Sequence, residues 1–200
     1  MRTAVILAGG KARRFSGQPK PLLPIGTKRI IDRQMVVLNS VADYLAIVTN
    51  DRVRYGALGV PVWQDLAPDT GPLGGIYTAL KNTTTAQTLV VAGDLPFLTA
   101  PFLQYLMCVC EDADVAIPRM PNGLQPLCAI YARRCIEIIH HQIKAGSFKV
   151  TDVLSKLNVH EVGPDEIAHF DSSGTLFFNI NTPDDYQNAL ALASNRLTLS

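Results

Sequence analysis

The stretch TAVILAGGKARRFSGQPK, residues 3–20, decides the fold. Its opening run, Thr3 to Ala8, is almost continuously apolar and stops at a glycine pair, the pattern of a strand buried on both faces in a parallel sheet. A basic loop follows from Gly9 to Lys20, in which Gly9, Gly10 and Gly17 are interspersed with Lys11, Arg13, Arg14 and Lys20. A strand that ends in small residues lets a phosphate approach backbone N–H groups directly, and the cations supply charge to hold it. Two better-known phosphate loops are excluded by the spacing. A dinucleotide-type G-x-G-x-x-G beginning at Gly9 needs glycine where Lys11 and Arg14 stand, and a Walker-type loop needs glycine at Val5 and Ser or Thr at Ala12.

Outward from this loop, apolar runs bounded by turn residues alternate with segments of helical spacing. Strands are expected at Tyr44–Thr49, Val60–Gln64, Thr88–Ala92, Asp114–Ile117 and Pro126–Ala132, with short ones near Val159 and Leu176. Helices are expected near Arg29–Ser40, Leu73–Lys81, Pro101–Cys110, Arg133–Ala145 and Val150–Leu157, and a last one from Pro183 with Thr182 as its N-cap. This is an α/β protein with a largely parallel sheet, in one domain spanning residues 1–200.

The composition narrows the function classes. At 48% hydrophobic and 18% charged residues, the chain buries enough apolar surface to offset its ordering entropy, which excludes disorder. Eighteen basic against seventeen acidic residues leave a net charge of +1, without the broad basic field that nucleic acid or an anionic membrane requires. The longest uncharged stretch, Leu95–Cys110, has 16 residues and two prolines, short of the roughly 20 that span a bilayer. Basic residues stand where a secretory cleavage region would lie, so a cytoplasmic location is expected. Cys108, Cys110, Cys128 and Cys135 lack C-x-x-C spacing and are expected to be buried free thiols. His140 and His141 are expected to form a solvated or capping pair on a helix.

Three further segments carry candidate chemistry. In QDLAPDTGPLGGI, residues 64–76, Asp65 ends a strand and a glycine-rich turn precedes a helix, so Gly74 and Gly75 are expected to let a flat base lie close. In VVAGDLPFL, residues 90–98, Asp94 stands just past an apolar strand, at the edge where open α/β sheets bind ligands. In FFNINTPDDY, residues 177–186, Asn179 and Asn181 are expected on opposite sides of the chain, one holding a ligand and the other the loop. Capping of turns or helices is the competing role for each of these polar residues.

LAGGKARRFSGQPK, DLAPDTGPLGGI, GDLPFL and FNINTPDD occur in the order and spacing of the molybdenum cofactor guanylyltransferases, and the chain resembles that family over nearly its whole length. The resemblance implies a three-layer α/β/α sandwich with a mostly parallel, mixed central sheet of Rossmann-like nucleotidyltransferase type. It implies transfer of GMP from GTP to molybdopterin carrying molybdenum, with release of pyrophosphate. The N-terminal half would hold the nucleotide and the C-terminal half the acceptor. By matching position, Leu7, Ala8, Gly9 and Gly10 would line the nucleotide, Lys20 would meet its phosphates, and Asp65 and Asp94 would bind nucleotide and magnesium. Asn50, in IVTND, matches a further nucleotide contact. Transient contact with proteins that handle the molybdenum cofactor is also implied. Ser16 and Pro19 depart from the family pattern, and Pro19-Lys20-Pro21 is closer to relatives that activate sugar or polyol phosphates. Cytidylyl transfer to the same cofactor, nucleotidyl transfer to a sugar phosphate, and a nucleotide-binding module without turnover are therefore the alternatives.

The chemistry itself asks for few groups. A phosphate monoester is mostly a dianion at pH 7 and needs no general base to attack. Charge on the α-phosphate and the departing pyrophosphate must be neutralised, a role suited to Lys20 and Arg14. Mg²⁺ takes oxygen ligands, often only one or two from the protein, for which Asp94 and the Asn181 carbonyl suffice. Guanine presents adjacent donors, so acceptors are expected from the Leu7–Gly9 carbonyls and from Asp65 or Asp69. Asn179, Asn181 and Lys149, the last beside Gly146-Ser147, are the candidates for the acceptor.

Overall fold

Thr3–Leu7 forms β1, and the alternation of its side chains sorts the molecule into layers. Ala4 and Ile6 face one core and Val5 the other. The computed structural model describes residues 1–9, 15 and 17–197. After a 3-10 turn at Lys20–Leu22 come a hairpin of β2 (Pro24–Ile25) and β3 (Lys28–Arg29), then α1 (Ile30–Asn39), β4 (Tyr44–Val48), α2 (Arg52–Tyr55) and β5 (Val62–Trp63). α3 (Pro72–Asn82), β6 (Gln87–Ala92), α4 (Ala100–Cys108), β7 (Val115–Met120), β8 (Gly123–Leu124) and β9 (Cys128–Ala132) follow. The chain continues through α5 (Cys135–Lys144), α6 (Val150–Leu154), β10 (Val159–Val162), α7 (Pro164–Ala168) and α8 (Pro183–Leu197).

The central sheet runs β10-β7-β9-β6-β1-β4-β5, with β8 paired to β7. β9 is antiparallel to β6 and β7, and the other pairs along that path are parallel, giving the expected mixed, mostly parallel sheet. α1 and α4 cover one face, setting Ile31, Leu38, Phe102 and Leu106 against Ile6, Ile47 and Val91. α3, α5 and α6 cover the other, setting Leu73, Ile76, Ile139 and Val153 against Val5, Val90 and Tyr131. This is the three-layer sandwich. Burying a Leu, Ile or Phe side chain contributes about 1.5–3 kcal/mol, against about 0–1 kcal/mol for a surface ion pair. The two faces therefore carry the fold, rather than exposed pairs such as Arg119–Glu161. A third cluster, including Leu23, Ile25, Ile30, Ile180 and Ala189, seats α8 on the β2–β3 hairpin.

Several local expectations are corrected. No strand forms near Leu176: the Phe178 N–H donates to the Thr175 carbonyl (3.0 Å) and closes a turn. Cys108 is exposed, whereas Cys110, Cys128 and Cys135 are buried. The core-facing stripe of α4 is filled by Phe102, Leu103, Leu106 and Met107, which leaves Cys108 on the outer side. Of the histidine pair His141 is exposed, as expected, whereas His140 is half-buried and stacked on Tyr77, with ring centroids 5.5 Å apart. Among the described residues, no helix is long and apolar enough to cross a membrane.

Candidate active site

Four neighbouring strands, β6, β1, β4 and β5, run parallel and so end at one edge of the sheet. Asp94, Leu7–Gly9, Asn50 and Asp65 stand at or just beyond those four ends, which is why residues far apart in sequence share one rim. Lys20 reaches this rim through its 3-10 turn. The Leu22 N–H donates to the Pro19 carbonyl (3.0 Å), and Pro21 packs on Gly93, where a Cβ would lie 2.6 Å from Pro21 Cγ. Only glycine at 93 lets the turn close on the end of β6. The two prolines that flank the lysine, one of them a departure from the family pattern, thus fix the turn that carries Lys20.

From that turn, Lys20 Nζ donates to Asp94 Oδ2 (3.2 Å) and to Asn181 Oδ1 (2.7 Å). An ammonium has three N–H donors, so one is left for a phosphate oxygen. Asp94 Oδ1 accepts no hydrogen bond among the described residues. The Lys20 and Asp94 side chains are 26% and 22% exposed, and as an element of stability such a pair contributes about 1 kcal/mol or less. A preorganised donor aimed at charge that develops during reaction contributes roughly 3 kcal/mol. An arrangement of this kind can do more for chemistry than for folding. Asp94 and Asn181 already direct oxygens at one shared cation, and oxygen donors of this kind suit Mg²⁺. No group of three or more His, Cys, Asp or Glu side chains is arranged for a metal among the described residues, so substrate phosphates and water would complete the shell.

Hydrogen bonds seat each partner. The Gly93 N–H donates to the Leu7 carbonyl (3.0 Å) and the Ile180 N–H to the Asp94 carbonyl (3.2 Å). Asp185 Oδ2 accepts from the N–H groups of Asn181 (2.9 Å) and Thr182 (2.8 Å), while the Asp185 N–H donates to Thr182 Oγ1 (3.1 Å). Thr182 is thus the N-cap of α8, as expected. The N–H of Asn181 and the Thr182 hydroxyl hold the Asp185 carboxyl below its ordinary range, and the nearby Lys20 charge acts in the same direction. Ile180 is fully buried, Asn179 half-buried and Asn181 exposed, the pattern of an extended run in which residues two apart share a face. Asn179 and Asn181 therefore lie on one side, not on opposite sides.

On the nucleotide side the picture is mixed. Thr49 Oγ1 donates to the Ala8 carbonyl (3.3 Å), and Asn50 Oδ1 accepts from the Asp65 N–H (3.2 Å), tying three strand ends together. Asp65 Oδ1 accepts from the Ala67 N–H (2.9 Å) and from Thr78 Oγ1 (3.1 Å), so one carboxylate oxygen holds its own loop. Gly74 and Gly75 serve internal packing rather than a base. A Cβ at Gly74 would lie 2.3 Å from Thr70 Oγ1 and 2.4 Å from the Ala67 carbonyl, and one at Gly75 would lie 2.9 Å from Leu7 Cδ1. Among the described residues nothing would lie within 4 Å of a Cβ at Gly9, and Asp69 is exposed with a positive φ. Arg54 Nη1 donates to the Gly17 carbonyl (3.1 Å), tying Gly17 to α2. Gly10 and Arg14 lie outside the described residues. Lys149 is exposed ahead of α6 and shares no contact with Lys20, Asp94 or Asn181.

Gly93, Arg54, Asp185 and Gln34 are the residues that sequence reasoning passes over. Thr182 followed three residues later by Asp185 is a legible capping signal. Gln34 is legible as a polar break in the apolar stripe of α1, where its Nε2 donates to the carbonyls of Ala92 (2.7 Å) and Leu95 (3.0 Å).

Residues 4–161 match the MobA-like NTP transferase domain. A protein of Pelotomaculum thermopropionicum, described as a probable molybdenum cofactor guanylyltransferase, is 38% identical over 98% of this chain and 95% of its own length. The molybdenum cofactor guanylyltransferase of Desulfosudis oleivorans is 33% identical over 94% of both chains. Among solved structures, molybdopterin-guanine dinucleotide biosynthesis protein A from Archaeoglobus fulgidus superposes with a TM-score of 0.83 at 28% identity, covering 98% of this chain and all of that one.

Proposed function

The chain belongs to the MobA-like NTP transferase family, and we propose that Lys20, Asp94 and Asn181 form the centre at which it holds the reacting phosphates. Its activity is that of a molybdenum cofactor guanylyltransferase, which joins GMP from GTP to molybdenum-bearing molybdopterin and forms molybdopterin guanine dinucleotide. In this reaction a phosphate oxygen of the acceptor bonds to the α-phosphorus. The bond from that phosphorus to its bridging oxygen breaks, and pyrophosphate leaves with the electron pair.

The convergence of Lys20 Nζ on Asp94 and Asn181 carries the assignment. The free N–H of Lys20 meets the phosphates, where negative charge grows as pyrophosphate departs. Asp94, with the Asn181 carbonyl beside it, would hold Mg²⁺, which when bound neutralises phosphate charge. Arg14 adds a second cation from the basic loop. Leu7, Ala8, Gly9, Gly10, Asn50 and Asp65 would form the nucleotide side, while Gly74 packs its helix against the Asp65 loop; Asn179 and Asn181 would border the acceptor, so the N-terminal half serves the nucleotide and the C-terminal segment the pterin. The competing choice of base is open to direct measurement. With molybdopterin, Mg²⁺ and each of GTP, CTP and ATP, pyrophosphate release should favour GTP by about 5- to 150-fold, the cost of leaving one buried polar group unpaired. CTP equal to or better than GTP would move the chain to cytidylyl transfer.

A further inference from the structure

α1 buries Ile30, Ile31, Gln34 and Leu38 along one stripe. Gln34, 1% exposed, is the polar member of that stripe. Its Nε2 donates to the Ala92 and Leu95 carbonyls, the two groups that bracket Gly93-Asp94, while its Oε1 has no partner among the described residues. A buried amide oxygen left unpaired costs stability, and a methionine of similar length would fill the same space without that cost. The side chain is explained by what its two N–H groups hold. Elsewhere the turn is tied by Gly93 to Leu7 and by Asp94 to Ile180. On the α1 side the side chain of Gln34 is the group that reaches both carbonyls, beside a cleft of about 350 Å³ lined in part by Thr27, Gln34, Val37, Pro96 and Phe97.

We propose that Gln34 is a positioning residue for Asp94. Its amide clamps the turn from the α1 side and sets where the carboxylate stands relative to Lys20 and Asn181. The inference rests on the reading that Asp94 takes the divalent cation. Groups that orient a metal ligand typically change metal affinity by 10- to 100-fold when removed.

The test is the Mn²⁺ affinity of the full chain with GTP present, read by electron paramagnetic resonance, together with kcat and the KM for GTP. Gln34→Met, with Gln34→Leu as a second variant should the first not fold, is expected to weaken Mn²⁺ binding about 10-fold. It should lower kcat while leaving the KM for GTP near that of the native chain. Leu38→Ala, one helical turn along the same stripe, should lower Tm by at least as much and leave Mn²⁺ affinity unchanged. Native Mn²⁺ affinity in both Gln34 variants, or equal weakening in Leu38→Ala, overturns the proposal. Asp94→Asn, measured alongside, distinguishes the inference from the reading beneath it: unchanged Mn²⁺ affinity there overturns the metal reading itself, and the Gln34 inference with it.

Discussion

Asp65 shows at the scale of one residue how a structural group can also stand where the proposed site needs a binding group. Its Oδ1 holds the loop through Ala67 and Thr78, and Oδ2 is the oxygen left for a ligand. Asp65→Ala removes both hydrogen bonds and should lower stability by about 1–2 kcal/mol. Asp65→Asn keeps an Oδ1 acceptor, so thermal unfolding should stay within about 0.5 kcal/mol of the native chain. If the charge also reads guanine, the asparagine variant loses part of the GTP-over-CTP preference in kcat/KM; an unchanged ratio makes Asp65 a loop residue alone. Lys20, Asp94 and Asn181 are each legible in the sequence, because a basic loop, a strand-end carboxylate and an Asn-rich segment have recognisable neighbours. Their contact is not. It depends on Pro21 packing against Gly93, a fit between side chain and backbone that no spacing rule encodes.

At the scale of elements, the long strands and helices are legible because burial on one or both faces imposes a period on them. Leu176 misleads for a physical reason. Leu176, Phe178 and Ile180 alternate as a strand would, but the segment has no sheet partner, and the N–H groups of Thr175 and Leu176 donate instead to the Asp171 carboxylate (2.9 Å each). The short α2 and α7 start on local caps, Asp51 accepting from the Arg54 N–H (3.3 Å) and Glu166 from the Gly163 N–H (2.9 Å), but are too short to show a helical period. The start of α8 is sensitive to acid. Asp185 has a folded pKa below its unfolded value, so the stability it adds is present at neutral pH and is lost as pH falls through the folded pKa. A carboxyl ¹³C titration should place Asp185 below the ordinary 3.8, and Asp185→Asn should loosen Asn181 and lower kcat at neutral pH. A midpoint at or above 3.8 would contradict the cap.

Across the whole molecule, the proposed active site is a seam between the sheet edge and the start of the last helix. The third cluster closes that seam: Ile180, fully buried, sits between Asn179 and Asn181 and packs with Leu23, Ile25 and Ala189. Ile180→Ala should cost about 2–4 kcal/mol, as other large-to-small core changes do. Unlike Ile139→Ala in the core beneath α5, it should also reduce kcat in the fraction that remains folded, because it unseats Asn181; equal specific activities in the two variants would separate α8 from catalysis. Across the seam, Lys20 and Asn181 share one hydrogen bond, and in the proposed centre they act through it. A double-mutant cycle of Lys20→Ala and Asn181→Ala on kcat/KM for GTP measures that directly. Lys20→Ala should cost on the order of 10²-fold, and the double variant little more, a coupling of at least about 1 kcal/mol. Losses that simply multiply would contradict the shared bond.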